Sequence, residues 1–324
     1  MKYFLTGATG FVGGVVARQL REAGHEVQAV VRTPSKAKTL AEMGVILHKG
    51  DVTEKESMRA PMTGVDGVFH IAGWYKVGVR DATPGEQVNV QGTRNVLELM
   101  KELGIPKGVY TSTLAVNSDT HGKTVDENYQ FTGQHLSAYD RTKAEAHHIA
   151  EKFVAEGLPL VILMPGLIYG PDDTSQMGEF LRGFLHGKTQ PVPQQTAYCW
   201  AHVDDVAWAH ITAMEKAVPG STYIIAGPPH TFVEGCQTAS ELTGTKMPMT
   251  MPPGMLKMMS GMMSLVEKVI SVEGVYSSEG QRILAGVTYL GDNRKAKREL
   301  GYNPRPLREG LAQTFDYERK KIGK

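Results

Sequence analysis

Short apolar runs alternate with amphipathic segments through the first half of this chain, and the alternation limits the possible folds more than any other feature. The apolar runs have strand length, and we predict strands at residues 3–5, 26–31, 45–49, 67–71, 108–112 and 160–164. Helical periodicity predicts helices at residues 12–23, 86–103, 137–156, 177–185 and 203–216. Strands that alternate with helices form βαβ units, so we predict an α/β fold with a doubly wound parallel sheet.

The pattern changes after Pro165. Residues 166–198 are rich in Gly, Pro and Gln, which predicts loops around the helix at 177–185, and the C-terminal third reads mainly as helices and turns. A predicted strand at 222–226 can return to the sheet. We therefore predict a sheet domain over 1–168 with returning segments near 199–226, and a smaller, mainly helical lobe over 169–198 and 227–324.

Composition excludes several classes of partner. The 324 residues include 35 basic and 34 acidic side chains, a net charge of +1, which gives no reason to expect nucleic acid or an anionic membrane. Cys199 and Cys236 have neither metal-ligand spacing nor the density of a disulfide scaffold, which is typical of a reducing compartment. No stretch approaches the roughly 20 apolar residues of a membrane span. We expect a cytoplasmic protein.

Three glycines lie between the first predicted strand and the first predicted helix, in the run TGATGFVG at residues 6–13. Gly7 permits a tight turn, Gly10 lets a phosphate approach the backbone, and Gly13 lets helix and strand pack closely. Such a triplet also occurs in plain turns, but the strand–turn–helix setting favours a diphosphate bound at the helix N-terminus. The predicted dinucleotide contacts in this loop are Gly7, Thr9, Gly10, Phe11, Val12 and Gly13.

The end of the second strand indicates which dinucleotide binds. An NAD site usually offers a carboxylate here to the ribose 2′-hydroxyl, but residues 32–36 contain no acid. Arg32 can form a bidentate contact with a 2′-phosphate, and Ser35 and Lys36 can support it. The alternative is that Arg32 and Lys36 are solvated loop charges. The pattern favours NADP(H).

Later strand ends supply further predicted cofactor contacts. Asp51, followed by Val52, can accept from the adenine amine. Ala72 and Gly73 would let the cofactor pass close to the backbone. For His70 we predict only a buried or half-buried strand residue.

Tyr139 and Lys143 lie four residues apart in a predicted helix and therefore project from one face. A free tyrosine has a pKa of about 10, and a nearby ammonium stabilises its phenolate, so we expect Lys143 to lower the pKa of Tyr139. Lysine can also hold the nicotinamide ribose. Such pairs occur by chance in helices, but the run YTST at 110–113 adds hydroxyls at a strand end, the ligand edge of a parallel sheet. A hydroxyl there can hold a carbonyl oxygen while Tyr139 delivers a proton, unless these are ordinary strand residues.

Together these motifs resemble the extended short-chain dehydrogenase/reductase family. The ordered matches are TGATGFVG at 6–13, GDV at 50–52, HIAG at 70–73, NVQGTRNVLE at 89–98, YTST at 110–113, YDRTK at 139–143, PGLIYGP at 165–171, HVDDVAWAH at 202–210 and RELGYNPRPLREGL at 298–311. The chain looks most like the dihydroflavonol 4-reductase-like branch within the NAD-dependent epimerase/dehydratase proteins, which includes NADPH-dependent ketone and aldehyde reductases. The resemblance implies a Rossmann fold with a C-terminal substrate lobe, and dimers are common in the family.

The resemblance also implies residue roles. Tyr139 would be the general acid/base, Lys143 its electrostatic partner and ribose anchor, and Thr113 the catalytic hydroxyl, with Ser112 as a substitute. The implied contacts to the nicotinamide half are Asn89, Thr111, Tyr139, Lys143, Pro165, Leu167 and Ile168.

Two departures from the family pattern bear on the substrate. Met164 stands where many members have Arg, and Leu167 stands where sugar-nucleotide epimerases usually have an Asn that reaches the substrate diphosphate. The favoured hypothesis is an NADPH-dependent reductase of a ketone or aldehyde. The alternatives are a sugar-nucleotide or related epimerase/dehydratase that retains its dinucleotide, and a non-catalytic NADP-binding sensor.

Three weaker features remain open. The Met-rich segment 247–263 can form a lid over a bulky apolar substrate, a helix packed on the lobe or a subunit contact. Trp74, Tyr75 and Trp200 can flank the site entrance. His202 and the acids that follow it suggest helix capping rather than a metal, and we predict no metal site.

Overall fold

The computed structural model describes residues 1–323 and consists of parallel and mixed sheets packed with helices; the predicted lobe boundary at Lys324 lies outside the described residues. The strands are β1 (Lys2–Thr6), β2 (Glu26–Val31), β3 (Ile46–Lys49), β4 (Gly67–His70), β5 (Gly108–Thr111), β6 (Leu160–Pro165), β7 (Leu167–Tyr169), β8 (Val192–Pro193), β9 (Ala197–His202), β10 (Thr222–Ile225), β11 (Pro229–Thr231), β12 (Thr250–Met251) and β13 (Thr288–Tyr289). The helices are α1 (Phe11–Glu22), α2 (Lys38–Glu42), α3 (Lys55–Met62), α4 (Thr83–Gly85), α5 (Gly92–Glu102), α6 (Ala138–Ala155), α7 (Gln176–Leu185), α8 (Val203–Lys216), α9 (Phe232–Thr243), α10 (Pro253–Val266), α11 (Ser278–Ile283), α12 (Arg294–Leu300) and α13 (Leu307–Lys321).

Seven strands form one parallel sheet in the order β10-β6-β5-β4-β1-β2-β3. One hydrophobic cluster packs α1 and α8 on one face of the sheet, and a second packs α3, α5 and α6 on the other. The predicted α/β fold with a doubly wound parallel sheet is confirmed. The order reverses beside β1, so the ends of β1 and β4 border the crevice where ligands bind in such sheets.

A second, smaller sheet lies in the C-terminal region. Its central strand β9 pairs antiparallel with β11 and parallel with β7 and β13, and β8 pairs separately with β12. The expectation of loops and one helix over 166–198 is therefore incomplete, since only α7 was predicted there. These strands have two to six residues and are stabilised by pairing with distant segments, which leaves little periodicity in the local sequence.

Apolar side chains of the smaller sheet and its helices form a third hydrophobic cluster. It contains Phe184, Phe315 and Trp200, and Trp200 is only 3% exposed. The prediction that Trp200 flanks the site entrance is therefore wrong, because its ring fills the core of the lobe beside Tyr169 and Phe232. Within the described residues, no helix is both long enough and apolar enough to cross a bilayer.

Candidate active site

The glycine loop joins β1 to α1 and has little room for side chains. Gly7 has a φ of +75°, and a Cβ placed on it would lie 2.6 Å from the backbone nitrogen of Ala72. A Cβ on Gly13 would lie 2.1 Å from the carbonyl oxygen of Gly7. Helix α1 begins after Gly10 with no side-chain cap and no acidic residue in its first turn. The uncapped N–H groups and the bare Gly10 backbone fit the diphosphate of a dinucleotide.

Thr6 and His70 fasten this loop to the end of β4. The Thr6 hydroxyl oxygen accepts from the backbone N–H groups of Ile71 (3.2 Å) and Ala72 (3.1 Å), so its proton points to Nδ1 of His70 at 2.8 Å. Nδ1 of His70 is then an acceptor, and Nε2 donates to the Thr93 hydroxyl at 3.0 Å. Burial lowers the pKa of His70 to about 3, in keeping with a neutral ring. The prediction of a buried strand residue is confirmed.

Arg32, Ser35 and Lys36 are exposed at the end of β2 and in the short 3₁₀ turn that follows it. Among residues 1–323, no carboxylate forms an ion pair with Arg32 or Lys36. At the end of β3, Oδ1 of Asp51 accepts from the backbone N–H and the hydroxyl of Thr53, each at 2.9 Å. These side chains border the edge where the adenosine of a dinucleotide is expected.

Asn89 is buried in the π-helical stretch before α5 and holds the loop after β4 in place. Its Oδ1 accepts from the backbone N–H of Trp74 at 2.7 Å. Its Nδ2 donates to the Trp74 carbonyl and to the Thr142 hydroxyl, each at 2.9 Å. The amide thus connects the loop containing Gly73 to helix α6, and a contact from Asn89 to the cofactor would have to replace one of these bonds.

Tyr139 lies in the first turn of α6, whose N-terminus is capped by the Ser137 hydroxyl. Burial raises the pKa of Tyr139 to about 12, while the nearby Thr113 hydroxyl acts in the opposite direction. Thr113 is half-buried just after β5 and also accepts from the backbone N–H of Ala115 at 3.2 Å. The structure therefore brings Thr113 and Tyr139 together.

The other two hydroxyls after Tyr110 have partners elsewhere. The Thr111 hydroxyl lies 2.7 Å from Nε2 of His210 in α8. The Ser112 hydroxyl is buried and lies 2.8 Å from Nδ1 of His147 in α6. Ser112 therefore contacts α6 at His147, farther along the helix than Tyr139, whereas Thr113 lies near Tyr139 itself. Ser112 is therefore a poor substitute for Thr113.

Lys143 is buried one turn after Tyr139. Its Nζ donates to the carbonyl oxygen of Thr111 at 2.8 Å and to the Tyr110 hydroxyl at 3.2 Å. Burial lowers the pKa of Lys143 to about 7. The expected lowering of the Tyr139 pKa by Lys143 does not occur in this structure, because burial dominates at the phenol and its other electrostatic influence is Asp140, which raises that pKa further.

Pro165 ends β6, and the chain then crosses into the smaller sheet. Leu167, Ile168 and Tyr169 form β7, which pairs with residues 200–202 of β9. A Cβ on Gly166 would lie 2.0 Å from the carbonyl oxygen of Cys199, so the crossing segment is tightly held. Pro165, Leu167 and Ile168 thus line the junction between the two sheets.

Two side chains of the C-terminal region hold the start of α6. Glu279 accepts from the backbone N–H of Gly78 at 2.7 Å and of Ala138 at 3.1 Å. Tyr289 donates to the buried carboxylate of Asp140 at 3.0 Å. The lobe therefore fixes both the loop after β4 and the turn that contains Tyr139.

The Met-rich segment forms strand β12 and most of helix α10, and most apolar side chains of α10 face solvent. Met258 and Met262 are 61% and 62% exposed, whereas Leu256 is buried. Elsewhere, the side chain of His202 caps α8 by accepting from the backbone N–H of Asp204, which agrees with the predicted capping role. Among the described residues, no three His, Cys, Asp or Glu side chains are grouped so as to hold a metal ion.

Comparison with known proteins identifies the family. The model of the NAD-dependent epimerase/dehydratase family matches residues 3–226. This chain belongs to that family. It is 31% identical to a putative dihydroflavonol 4-reductase of Synechocystis sp., over 97% of this chain and 94% of the relative, and 28% identical to sterol demethylase protein B of Methylococcus capsulatus, over 99% of both. The structure of UDP-glucose 4-epimerase from Thermotoga maritima superposes with a TM-score of 0.80 at 24% identity, covering 99% of this chain and all of that one, which shows the fold. Enzymes of this family bind an NAD(P) dinucleotide and act on small molecules.

The sequence reasoning missed two residues of the site. Tyr110 touches Lys143, and its place next to Thr111 in the run YTST was a usable signal. Glu279 lies far along the chain in a segment without a motif, so only the tertiary structure reveals its contacts.

Proposed function

We propose that this protein is an NADPH-dependent reductase of a ketone or aldehyde. The observation that most supports the proposal is the grouping of Tyr139, Thr113 and Lys143 at the carboxyl edge of the large sheet. A phenol, a hydroxyl and an ammonium are the groups that a carbonyl reduction needs around the substrate oxygen.

A bound NADPH supplies the hydride for the carbonyl carbon. Tyr139 donates the proton to the carbonyl oxygen, and its raised pKa keeps it protonated at neutral pH until that oxygen becomes strongly basic. Thr113 orients the carbonyl by a hydrogen bond. Lys143, when protonated, stabilises the phenolate that Tyr139 leaves behind.

NADPH is favoured over NADH at the end of β2. Arg32 and Lys36 are exposed there without an ion-pair partner among residues 1–323, which leaves them free for a 2′-phosphate. The KM for NADPH should be lower than that for NADH in the same assay, and a preference for NADH would contradict the assignment of Arg32.

Replacement of Tyr139 by Phe tests the mechanism. We expect turnover to fall by about 10²–10⁴-fold, because the proton donor is lost, while NADPH binding changes little. The measurement is NADPH oxidation over a panel of ketones and aldehydes, with cofactor binding followed by fluorescence. Tyr302→Phe, which alters a buried tyrosine outside the site, is the control, and full activity of Tyr139→Phe would refute the mechanism.

We further propose a bulky, apolar substrate. Two observations support this: the sterol-related name of one relative and the Met-rich helix α10. Residues 1–168 with segments near 199–226 would bind the cofactor, and residues 169–198 and 227–324 would enclose the substrate. A cytoplasmic location suits the buried free thiols of Cys199 and Cys236, and a homodimer remains a proposal that sedimentation can test.

An epimerase or dehydratase that retains its dinucleotide is the second candidate, favoured by the family and by the fold shared with UDP-glucose 4-epimerase. Leu167 argues against a nucleotide sugar, because an apolar side chain cannot bind a diphosphate. Stoichiometry separates the candidates, since a reductase consumes NADPH and an epimerase gives no net change in absorbance. Tight NADPH binding without turnover of any carbonyl would instead support the non-catalytic sensor.

A further inference from the structure

Tyr110 is a fully buried tyrosine of β5 that has no part in the mechanism above. Its hydroxyl lies 3.2 Å from Nζ of Lys143, and the same Nζ lies 4.9 Å from the centre of its ring. The Tyr110 ring also stacks on the ring of His70, with 5.4 Å between the two ring centroids. Tyr110 therefore touches the proposed catalytic lysine in two ways, through its oxygen and through its aromatic face.

The ammonium of Lys143 has few other partners. Of its three N–H groups, one reaches the Thr111 carbonyl and one reaches the Tyr110 hydroxyl. No carboxylate among the described residues lies within ion-pair distance of Nζ. The charge is thus held by a carbonyl dipole, a phenol oxygen and an aromatic ring, and one N–H is left for a cofactor ribose or for Tyr139.

We propose that Tyr110 is a positioning residue of the active site, whose hydroxyl and ring hold the ammonium of Lys143 at the carboxyl edge of β5. The catalytic meaning of this contact rests on the proposed reductase function. The contact itself does not, and it can be tested without turnover.

Tyr110 is itself fixed from behind by a chain of buried hydroxyl and imidazole groups. Thr6 donates to His70, His70 donates to Thr93, and the Thr93 hydroxyl lies close enough to the Tyr110 phenol to counteract the rise that burial causes in its pKa. The backbone N–H groups at the end of β4 set the direction of the first of these bonds. The position of Lys143 is therefore linked to the end of β1, immediately before the glycine loop.

None of the titratable groups described around Lys143 supplies a negative charge to its ammonium, so the pKa of Lys143 should depend on the Tyr110 hydroxyl. From β4 it faces His70, whose neutral ring supplies no charge. From its own helix it has Tyr139, also neutral at physiological pH, and the carboxylate of Asp140 is occupied by Ser137 and Tyr289. Loss of the Tyr110 oxygen would thus remove one of two acceptors without any charge to replace it.

Tyr110→Phe tests the proposal because it keeps the ring and removes only the oxygen. In the full-length protein labelled with ¹⁵N-lysine and free of cofactor, the Nζ resonance of Lys143 is identified by its absence in Lys143→Met and titrated with pH. We expect its midpoint to fall by about one pH unit, since a hydrogen bond to a charged group is worth roughly 1.5–3 kcal/mol and one pKa unit is about 1.4 kcal/mol. Tyr302→Phe removes a buried hydroxyl that has no partner among the described residues and should leave the midpoint unchanged.

Kinetics give a second readout. In Tyr110→Phe we expect kcat for carbonyl reduction to fall by about tenfold and its alkaline limb to move to lower pH, with the KM of the carbonyl within about twofold of wild type. Thr93→Val, which removes the group behind Tyr110, should shift the Nζ midpoint in the same direction by less, and it serves if Tyr110→Phe does not fold. An unchanged midpoint in the folded variants overturns the proposal. A shifted midpoint in a protein that reduces no carbonyl would leave the contact established and the reductase function refuted.

Discussion

Burial acts on Tyr139 and Lys143 in opposite directions. It raises the pKa of the phenol to about 12 and lowers that of the ammonium to about 7, so burial shifts both groups toward their neutral forms. A protonated tyrosine suits the donor role in reduction. The lowered pKa of Lys143 means that keeping its ammonium charged in the buried site lowers the free energy of unfolding. Such a cost is common where function and packing compete.

Lys143→Met should stabilise the protein at low pH and abolish most of its activity. Below pH 7 both folded and unfolded states bear the proton, so the folded state has the full cost of a buried ammonium. As the pH rises from about 7 to the unfolded value of about 10.4, the folded state sheds its proton first and the cost disappears. We expect a gain of about 1–3 kcal/mol in the free energy of unfolding at pH 6.5, shrinking toward zero at pH 10. Urea denaturation at the two pH values measures it.

Lys152→Met is the matched control, since Lys152 is an exposed lysine of the same helix. It should change the free energy of unfolding by less than about 0.5 kcal/mol at either pH. Equal stability of Lys143→Met and wild type at pH 6.5 would show that the buried ammonium costs nothing.

At the scale of single residues, the sequence predicts those site residues whose spacing along a helix or position at a strand end brings their side chains together. The separation of Tyr139 and Lys143 and the hydroxyls of the run YTST were legible because a helix and a strand end have fixed geometry. The choice between Ser112 and Thr113 depends on which part of α6 each hydroxyl meets, and the unexpected pKa directions depend on how closely the surrounding elements pack. Neither depends on local sequence alone.

Helix α1 contains two adjacent glycines, Gly13 and Gly14, and only Gly14 has room for a larger side chain. Gly13 faces the carbonyl of Gly7, and an added Cβ would lie 2.1 Å from it. An added Cβ on Gly14 would lie 3.5 Å from the Ala8 carbonyl, an ordinary contact. Both residues are in α1, so helix propensity is equal and only the packing differs.

Gly13→Ala should therefore destabilise the protein by about 2–4 kcal/mol and weaken dinucleotide binding, because helix and loop must move apart. Gly14→Ala should be neutral or stabilising by up to about 1 kcal/mol, since alanine is the better helix former. Thermal unfolding and titration with NADPH measure both effects. Similar losses in the two variants would contradict this account of the turn.

Long elements with a clear period were predicted well. The predicted bounds 26–31 and 203–216 coincide with β2 and α8, and the other strands of the large sheet were placed within a residue or two. The helix predicted at 86–103 instead begins with a π-helical stretch over residues 86–91 and becomes α-helical only at α5. Most strands of the smaller sheet were missed because two or three residues leave no period to detect, and the six-residue β9 was missed because it is buried almost throughout and does not alternate.

The C-terminal region contacts the start of helix α6, and Glu279 also links that helix to the loop after β4. One oxygen of its carboxylate accepts from Gly78 in the loop after β4, and the other accepts from Ala138 beside Tyr139. Both donors are backbone groups, so the side chain sets the distance between the loop after β4 and the start of α6.

Glu279→Ala should raise the KM of the carbonyl substrate by about 5–50-fold, because the loop that contains Trp74 and Tyr75 loses its anchor. The KM of NADPH should change by less than about twofold, since Glu279 does not contact the glycine loop. Steady-state kinetics for each substrate test this, with Glu273→Ala as an exposed control in the same region. A larger change for NADPH than for the carbonyl would contradict the assignment.

The pairing of β13 with β9 also bears on how the protein is made. The ribosome synthesises the chain from its N-terminus. All seven strands of the large sheet, of which β10 is the last, therefore emerge before β13 is synthesised. Tyr289, which completes the hydrogen bonding of Asp140, belongs to that late strand. A nascent chain can thus close its large sheet while helix α6 still lacks one of its supports, and the turn that contains Tyr139 gains that support only after β13 has emerged.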